Sequence, residues 1–181
     1  MKGIVFTEFL ELVEDKFGLE MVDTIISNSE LPSNGVYTAV GTYSFGEMVS
    51  LLTNLNKETS IAVDDLLLVY GEHFFSVIKK SYPGFLQIYN DPIDMLASIE
   101  DHIHVEVRKI YPDAELPTFT IEEKSDNHLI MIYKSSRAMY SFGRGLMNMV
   151  FDYFNQKATI IVEKLNEQGT EVKFSITANG G

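Results

Sequence analysis

The sequence predicts an α+β fold, in which a helical N-terminal subdomain packs on a C-terminal subdomain with a four-stranded antiparallel sheet and an inserted helix. Apolar residues recur at helical spacing as far as residue 110, and alternating segments rich in β-formers begin after residue 117. The length of 181 residues suits one domain. We expect a single domain over 1–181, with subdomains of approximately 1–60 and 61–181.

Each helix predicted in the N-terminal part has a local signal for its start or its end. Gly18 separates the first helix from the second, and Ser44 with Glu47 forms a capping box for the third. The fourth is apolar nearly all round, which is typical of a buried helix. Asp91-Pro92 marks the start of the fifth, which we expect to be continuous. The predicted ranges are 6–17, 19–27, 45–55, 63–80 and 92–110.

Turn residues divide the C-terminal part into four strands and one helix. Ser125-Asp126-Asn127 connects the first two strands, and 166–169 connects the last two as a hairpin. The predicted strands are 118–124, 128–135, 157–165 and 170–178, and the predicted helix is 139–155.

The composition excludes several classes of function. The net charge of −12 disfavours binding to nucleic acid or to an anionic membrane, and favours a partner with a basic surface. The lack of cysteine excludes disulfides, iron–sulfur clusters and thiolate-ligated haem. The N-terminal segment is an amphipathic helix rather than a signal peptide, and no apolar stretch is long enough to span a membrane. We therefore expect a soluble cytoplasmic protein.

Four histidines are the candidate metal ligands, and none has the spacing of a zinc site. On one helix, His102 and His104 point roughly 200° apart and cannot easily share a metal. A single histidine directed inward by a helix is the usual proximal ligand of haem. A polar surface residue is the commoner role, and periodicity does not choose between the two. His73 is expected to be a core or edge histidine, although a second iron ligand is conceivable, and His128 is expected at the surface.

Tyr133, Ser135 and Arg137 form a second candidate site. In an extended strand these three side chains point to the same side, which aligns a phenol, a hydroxyl and a guanidinium. Such donors can bind one or two carboxylates. An exposed strand face with incidental polar residues is the alternative.

The two sites together resemble the haem nitric oxide/oxygen-binding (H-NOX) family, which includes the sensor domain of soluble guanylate cyclase. The resemblance covers essentially the entire chain, including the order of helices and strands. The start Met1-Lys2-Gly3 is also common in bacterial members. The segments that carry it are Ile103-His104-Val105-Glu106-Val107, Tyr111-Pro112, Leu116-Pro117 and Tyr133-x-Ser135-x-Arg137.

The resemblance implies a role for each residue around a haem b (iron protoporphyrin IX) lying between the subdomains. His104 would be the proximal iron ligand, because it precedes Tyr-Pro by the family's interval and His102 does not. Tyr133, Ser135 and Arg137 would bind the propionates. Pro117 would press on the macrocycle and bend it, although it could equally be a loop proline before a strand.

The distal pocket implied by the resemblance is apolar. Its residues would be Val5, Phe9, Phe74, Phe142 and Leu146. Phe142 occupies the position of a hydrogen-bonding tyrosine in oxygen-binding members. Because bound oxygen gains from a donor and nitric oxide gains little, we expect nitric oxide and carbon monoxide to bind and oxygen to be excluded. Tyr140 lies roughly 200° around the helix from Phe142, so we expect it to point away from the iron.

The implied function is a gas sensor rather than an enzyme. Nitric oxide would break the bond between iron and His104, and the signal would pass to a separate sensor histidine kinase or a cyclic-di-GMP enzyme (diguanylate cyclase or phosphodiesterase). Three alternatives remain open: a haem-free module that holds a lipid or fatty acid among its buried helices, a peroxidase-type haem enzyme, and an oxygen carrier. The apolar distal residues disfavour the last two, since a peroxidase needs distal acid–base groups.

Overall fold

The computed structural model describes residues 1–179 and confirms the predicted α+β class, with helices and a four-stranded antiparallel sheet. The chain divides into two compact units, the first comprising Met1–Tyr70 and the second comprising the described residues from Gly71 onward. The division falls within one long helix. In the described part of the chain, every helix is too short or too polar to cross a membrane.

The first unit is helical and has an aromatic core. Its helices are α1 (Gly3–Phe17), α2 (Leu19–Ser27), α3 (Phe45–Thr59) and the beginning of α4 (Val63–Ser81). Gly18 has a φ of 86°, which few other residues adopt, and it ends α1 as predicted. The buried residues of this unit include Phe6, Phe9, Leu12, Val13, Ile25, Met48, Leu51 and Leu55.

The capping box predicted for α3 is only half formed. The Ser44 side chain accepts a hydrogen bond from the backbone N–H of Gly46, 3.2 Å away. Glu47 does not complete the box, because its buried carboxylate accepts hydrogen bonds from Ser33 and Tyr37 instead. A contact between distant segments thus replaces the local one that the pattern predicted.

The predicted continuous helix over 92–110 is three segments: α5 (Pro92–Ala97), a π-helical turn (Ile99–Ile103) and α6 (His104–Ile110). Asp91 caps the first segment as predicted, accepting from the N–H groups of the residues that follow Pro92. The break is at Ser98, whose hydroxyl oxygen lies 2.8 Å from the carbonyl oxygen of Met95 and 2.5 Å from the Tyr89 hydroxyl. π-helical turns are rare and frequently mark functional sites.

The sheet of the second unit follows the predicted strand pattern closely. Its strands are β1 (Thr118–Lys124), β2 (His128–Lys134), β3 (Lys157–Lys164) and β4 (Glu171–Asn179), and α7 (Tyr140–Tyr153) lies between β2 and β3 in the chain. The spatial order is β1-β2-β4-β3, so β1 and β3 are edge strands. Between α4 and α5, a short 3₁₀ turn spans Pro83–Phe85. The core includes Leu129, Met131, Tyr133, Met147, Phe151, Val172, Phe174 and Ile176.

Candidate functional site

His104 is the first residue of α6 and is buried, with 8% of its surface exposed. Its Nδ1 lies 2.9 Å from Oε1 of Glu100. A carboxylate only accepts, so Nδ1 carries the proton and Nε2 carries the lone pair. Burial lowers the pKa of His104, and the nearby Glu100 carboxylate opposes this only in part. The side chain therefore favours the neutral form that binds metals, and within residues 1–179 its Nε2 makes no hydrogen bond.

His102 has a different environment, although it lies only two residues away. Its Nδ1 is 2.6 Å from the Tyr89 hydroxyl, which also accepts a 2.5 Å hydrogen bond from Ser98. These contacts hold the π-helical turn and engage His102 in a structural network. His102 is also half-buried, whereas His104 is buried.

The structure brings Tyr133, Ser135 and Arg137 together, but by a turn rather than by strand alternation. β2 ends at Lys134, and Ala138 has a φ of 50°. The backbone N–H of Arg137 donates to the Ser135 hydroxyl at 3.2 Å. Burial raises the pKa of Tyr133, while its hydrogen bond with Ser135 lowers it. The hydroxyls of Tyr133 and Ser135 and the backbone N–H of Arg137 thus lie close together.

The guanidinium of Arg137 already binds a carboxylate. Its Nη1 donates to the backbone oxygen of Glu115 at 2.9 Å, and its Nη2 forms an ion pair with the carboxylate of the same residue. The Glu115 side chain is 81% exposed, whereas that of Arg137 is 16% exposed. The Glu115 carboxylate is exposed and could move away, whereas the Arg137 guanidinium is largely enclosed by the protein. The two N–H groups of the guanidinium could then bind another carboxylate, such as a propionate.

Phe119 connects the two candidate sites. Its ring centroid is 6.0 Å from that of His104 and 5.6 Å from that of Tyr133. Its backbone N–H donates to Oε1 of Glu100 at 3.0 Å. Pro117 is half-buried directly before β1, two residues ahead of Phe119. The sequence analysis missed both Glu100 and Phe119, although the four-residue spacing between Glu100 and His104 is a recognisable signal on a helix.

The distal candidates of the second unit lie on α4 and α7. The rings of Phe74 and Phe142 have centroids 5.5 Å apart, and Leu146 lies one turn beyond Phe142 on the same helix face. Gly71 allows α4 and α7 to approach, because a Cβ there would lie 2.1 Å from the carbonyl oxygen of Phe142. All three candidates are apolar and half-buried.

Tyr140 diverges from Phe142, as the angle around α7 predicted. Its ring packs against Gly169 of the β3–β4 connection, and the ammonium of Lys164 lies 4.9 Å from the ring centroid. His128, also in this unit, is bonded to the Thr177 hydroxyl at an exposed position. The Tyr140 ring therefore lies against the hairpin formed by β3 and β4.

The distal candidates of the first unit both lie on α1. Phe9 is buried, with its ring centroid 5.4 Å from that of Tyr70, and the carbonyl of Val5 accepts a hydrogen bond from the Tyr70 hydroxyl. These contacts fix the first two turns of α1 against the beginning of α4.

Comparisons with known proteins identify similar chains. Residues 2–162 match a family profile described as Haem-NO-binding. The Fe(II) unliganded H-NOX protein from K. algicida is 69% identical, with a TM-score of 0.99 over 100% of this chain and 98% of that one. An H-NOX from Shewanella woodyi in the Fe(II)CO ligation state is 38% identical, with a TM-score of 0.82 over 99% and 95% of the two chains. An H-NOX protein from S. oneidensis in the Fe(II)NO state, 22% identical, shares the fold with a TM-score of 0.90 over 99% and 100%. A search of curated proteins gave no significant match.

Proposed function

Because the chain belongs to the H-NOX family of haem-binding gas sensor domains, we propose that it senses nitric oxide through a haem b held by His104. Domains of this family are sensors rather than enzymes. The family match spans most of the chain and supports the proposal that 1–181 functions as a single domain.

One observation carries the proposal for His104: it is a buried imidazole whose Nδ1 is engaged by a carboxylate, which leaves Nε2 as a nitrogen ligand. Tyr133, Ser135 and Arg137 supply donors for the propionates, and the contact between Arg137 and Glu115 supports their affinity for carboxylates. Pro117, directly before β1, would contact the macrocycle and bend it. The donor set fits the cofactor that the family binds.

A bound ferrous haem would supply an iron that takes diatomic gases, and His104 would be its protein ligand. Release of His104 from that role would leave α6, which begins at this residue, free to move. The partner we propose is a sensor histidine kinase or a cyclic-di-GMP enzyme, and the net charge of −12 favours a basic surface on it. Relatives solved with nitric oxide and with carbon monoxide support gas binding.

Oxygen exclusion follows from the chemistry of the distal candidates. Val5, Phe9, Phe74, Phe142 and Leu146 have no side-chain hydrogen-bond donor. Bound oxygen carries partial negative charge and is stabilised by a donor, whereas bound nitric oxide is nearly neutral. The packing of Tyr140 against Gly169 supports the view that its phenol does not serve the iron.

The test is an absorption spectrum of the purified ferrous protein, alone and then with nitric oxide, carbon monoxide and air-equilibrated buffer. We expect a Soret band that shifts with nitric oxide and with carbon monoxide, and no stable oxygen complex. A protein that is colourless and does not take up added hemin would contradict the proposal. It would favour the haem-free module instead.

A pair of variants tests oxygen exclusion directly. Phe142→Tyr adds a phenol beside Phe74 and should create a detectable oxygen complex in air. Tyr140→Phe removes a phenol that packs on Gly169 and should leave the gas spectra unchanged. An oxygen complex in the unaltered protein that disappears in Tyr140→Phe would reverse the assignment of these two positions.

A further inference from the structure

We propose that Glu100 is the positioning residue of the iron site: its carboxylate sets the strength of the bond that His104 makes to iron and ties His104 to the first strand of the sheet. This inference rests on the proposed function, because it concerns the bond that His104 would form. It assigns a role to a residue that the sequence analysis did not select.

A single oxygen of Glu100 accepts both of the hydrogen bonds that matter. Oε1 lies 2.9 Å from Nδ1 of His104 and 3.0 Å from the backbone nitrogen of Phe119. One donor belongs to α6 and the other to β1. The carboxylate is therefore the point at which the candidate iron ligand is connected to the strand that follows Pro117.

The contact with His104 has an electronic consequence. A carboxylate that accepts from Nδ1–H draws the proton towards itself and increases the electron density on Nε2, which makes the imidazole a stronger ligand. The His104 side chain is 10% exposed and the Glu100 side chain is 28% exposed, so water screens the interaction less than at the surface. Charge-assisted hydrogen bonds of this kind are about twice as strong as neutral ones.

The contact with Phe119 has a mechanical consequence. β1 is an edge strand, and the N–H groups on its open side have no neighbouring strand to bond. Glu100 supplies the acceptor for one of them. The Phe119 ring also lies between His104 and Tyr133, so displacement of the carboxylate would disturb both the ligand and the donors proposed for the propionates.

A π-helical turn precedes the candidate ligand. It spans Ile99–Ile103, so Glu100 is inside it and His104 follows directly after it. Asp101, the next residue, carries the same charge but is exposed to solvent. The chain therefore offers a neighbouring carboxylate as an internal control for the effect of charge alone.

The main test is the iron–histidine stretching frequency of the ferrous, unliganded holoprotein, measured by resonance Raman spectroscopy. Glu100→Gln keeps the shape and removes the charge, and it should shift this frequency lower. Glu100→Ala removes both hydrogen bonds and should shift it further. Asp101→Asn should leave it unchanged. The iron midpoint potential should rise in Glu100→Gln, because a weaker donor stabilises ferric iron less.

A second measurement addresses the link to β1 and does not depend on the strength of the iron bond. In the diamagnetic carbon monoxide state, the amide proton of Phe119 should lose hydrogen-bonded character in Glu100→Ala and retain it in Asp101→Asn. Chemical shift and hydrogen exchange both report this change. If Glu100→Ala does not fold, the iron–histidine stretching frequency and the midpoint potential of Glu100→Gln still test the electronic role of Glu100.

The outcomes separate this inference from the proposed function. If the unaltered protein binds haem through His104 but Glu100→Gln changes neither the stretching frequency nor the potential, the electronic role is wrong. If the Phe119 amide is unaffected by Glu100→Ala, the connection to β1 is wrong. If the unaltered protein shows no iron–histidine band at all, the proposed function itself fails.

Discussion

The two units each place a glutamate carboxylate among buried groups, and the two carboxylates have different kinds of partner. In the first unit, Glu47 is 3% exposed and accepts from the backbone and hydroxyl of Ser33 and from the hydroxyl of Tyr37. In the second unit, Glu100 accepts from His104 and from the amide of Phe119. Both residues join distant parts of the chain.

The difference lies in what the partners can still do. Ser33 and Tyr37 use their donors on Glu47 and fix the loop before α3, so that network is closed and structural. His104 donates through Nδ1 and keeps a second nitrogen, which is the atom that we propose as the iron ligand. The function proposed for the second unit depends on that second nitrogen.

The largest effect that the comparison predicts is loss of haem from His104→Gly. Because this change removes the proposed iron ligand, the ratio of Soret absorbance to protein absorbance after purification should fall nearly to zero. Added imidazole should restore it by occupying the vacated space. His102→Gly is the matched control and should retain haem, because His102 is bonded to Tyr89. The reverse result would transfer the ligand role to His102.

Glu47→Ala is expected to have the largest effect on stability. It leaves the hydroxyl of Tyr37 and the N–H of Ser33, both on half-buried residues, without their charged acceptor, and we expect a loss of about 3 kcal/mol in the free energy of unfolding. Urea denaturation measures it. Glu58→Ala, at an exposed position on the same helix, should change the free energy little. A Soret spectrum altered in folded Glu47→Ala would contradict a purely structural role.

The elements of the fold could be predicted wherever their signals are local. The helix Leu19–Ser27 has its predicted bounds because Gly18 adopts a positive φ immediately before it. The predicted helix 92–110 was wrong at Ser98, because the bonds that break it involve Tyr89, which precedes the helix. Apolar periodicity contains no information about such a contact. The Glu47 capping box was wrong for the same reason, since its partners lie in the preceding loop.

The candidate site shows the same limit. The family resemblance supplied His104 and the group of Tyr133, Ser135 and Arg137, and the structure brings that group together. The expected strand alternation is not the cause, because β2 ends before Ser135. Glu100 could have been found from its spacing to His104. The contact between Glu100 and the Phe119 amide could not have been found in this way, since it depends on where the edge strand β1 lies in the fold.

Tyr70→Phe should have a smaller effect on the first unit than Glu47→Ala. The Tyr70 hydroxyl donates a 2.5 Å hydrogen bond to the carbonyl of Val5. Its removal leaves one neutral carbonyl without this donor, whereas Glu47→Ala leaves several donors without a charged acceptor. We expect a loss of about 1 kcal/mol in the free energy of unfolding, measured by urea denaturation. A loss as large as that of Glu47→Ala would show that the aromatic core, including Phe9, depends on this hydroxyl.

The smallest effect concerns alkaline pH and tests the network around Glu47 in the first unit. Burial, with the negative charge of Glu47, raises the pKa of Tyr37 from 10.0 to about 12. The unfolded chain then releases a proton that the folded chain retains, so the contribution of Tyr37 to stability is complete below pH 10 and is lost between pH 10 and about 12. Tyr37→Phe should flatten the fall of the unfolding free energy across this range, followed by urea titrations at several pH values. An unchanged slope would mean that Glu47 and Tyr37 are not coupled, and the closed network of the first unit would then have to depend on Ser33.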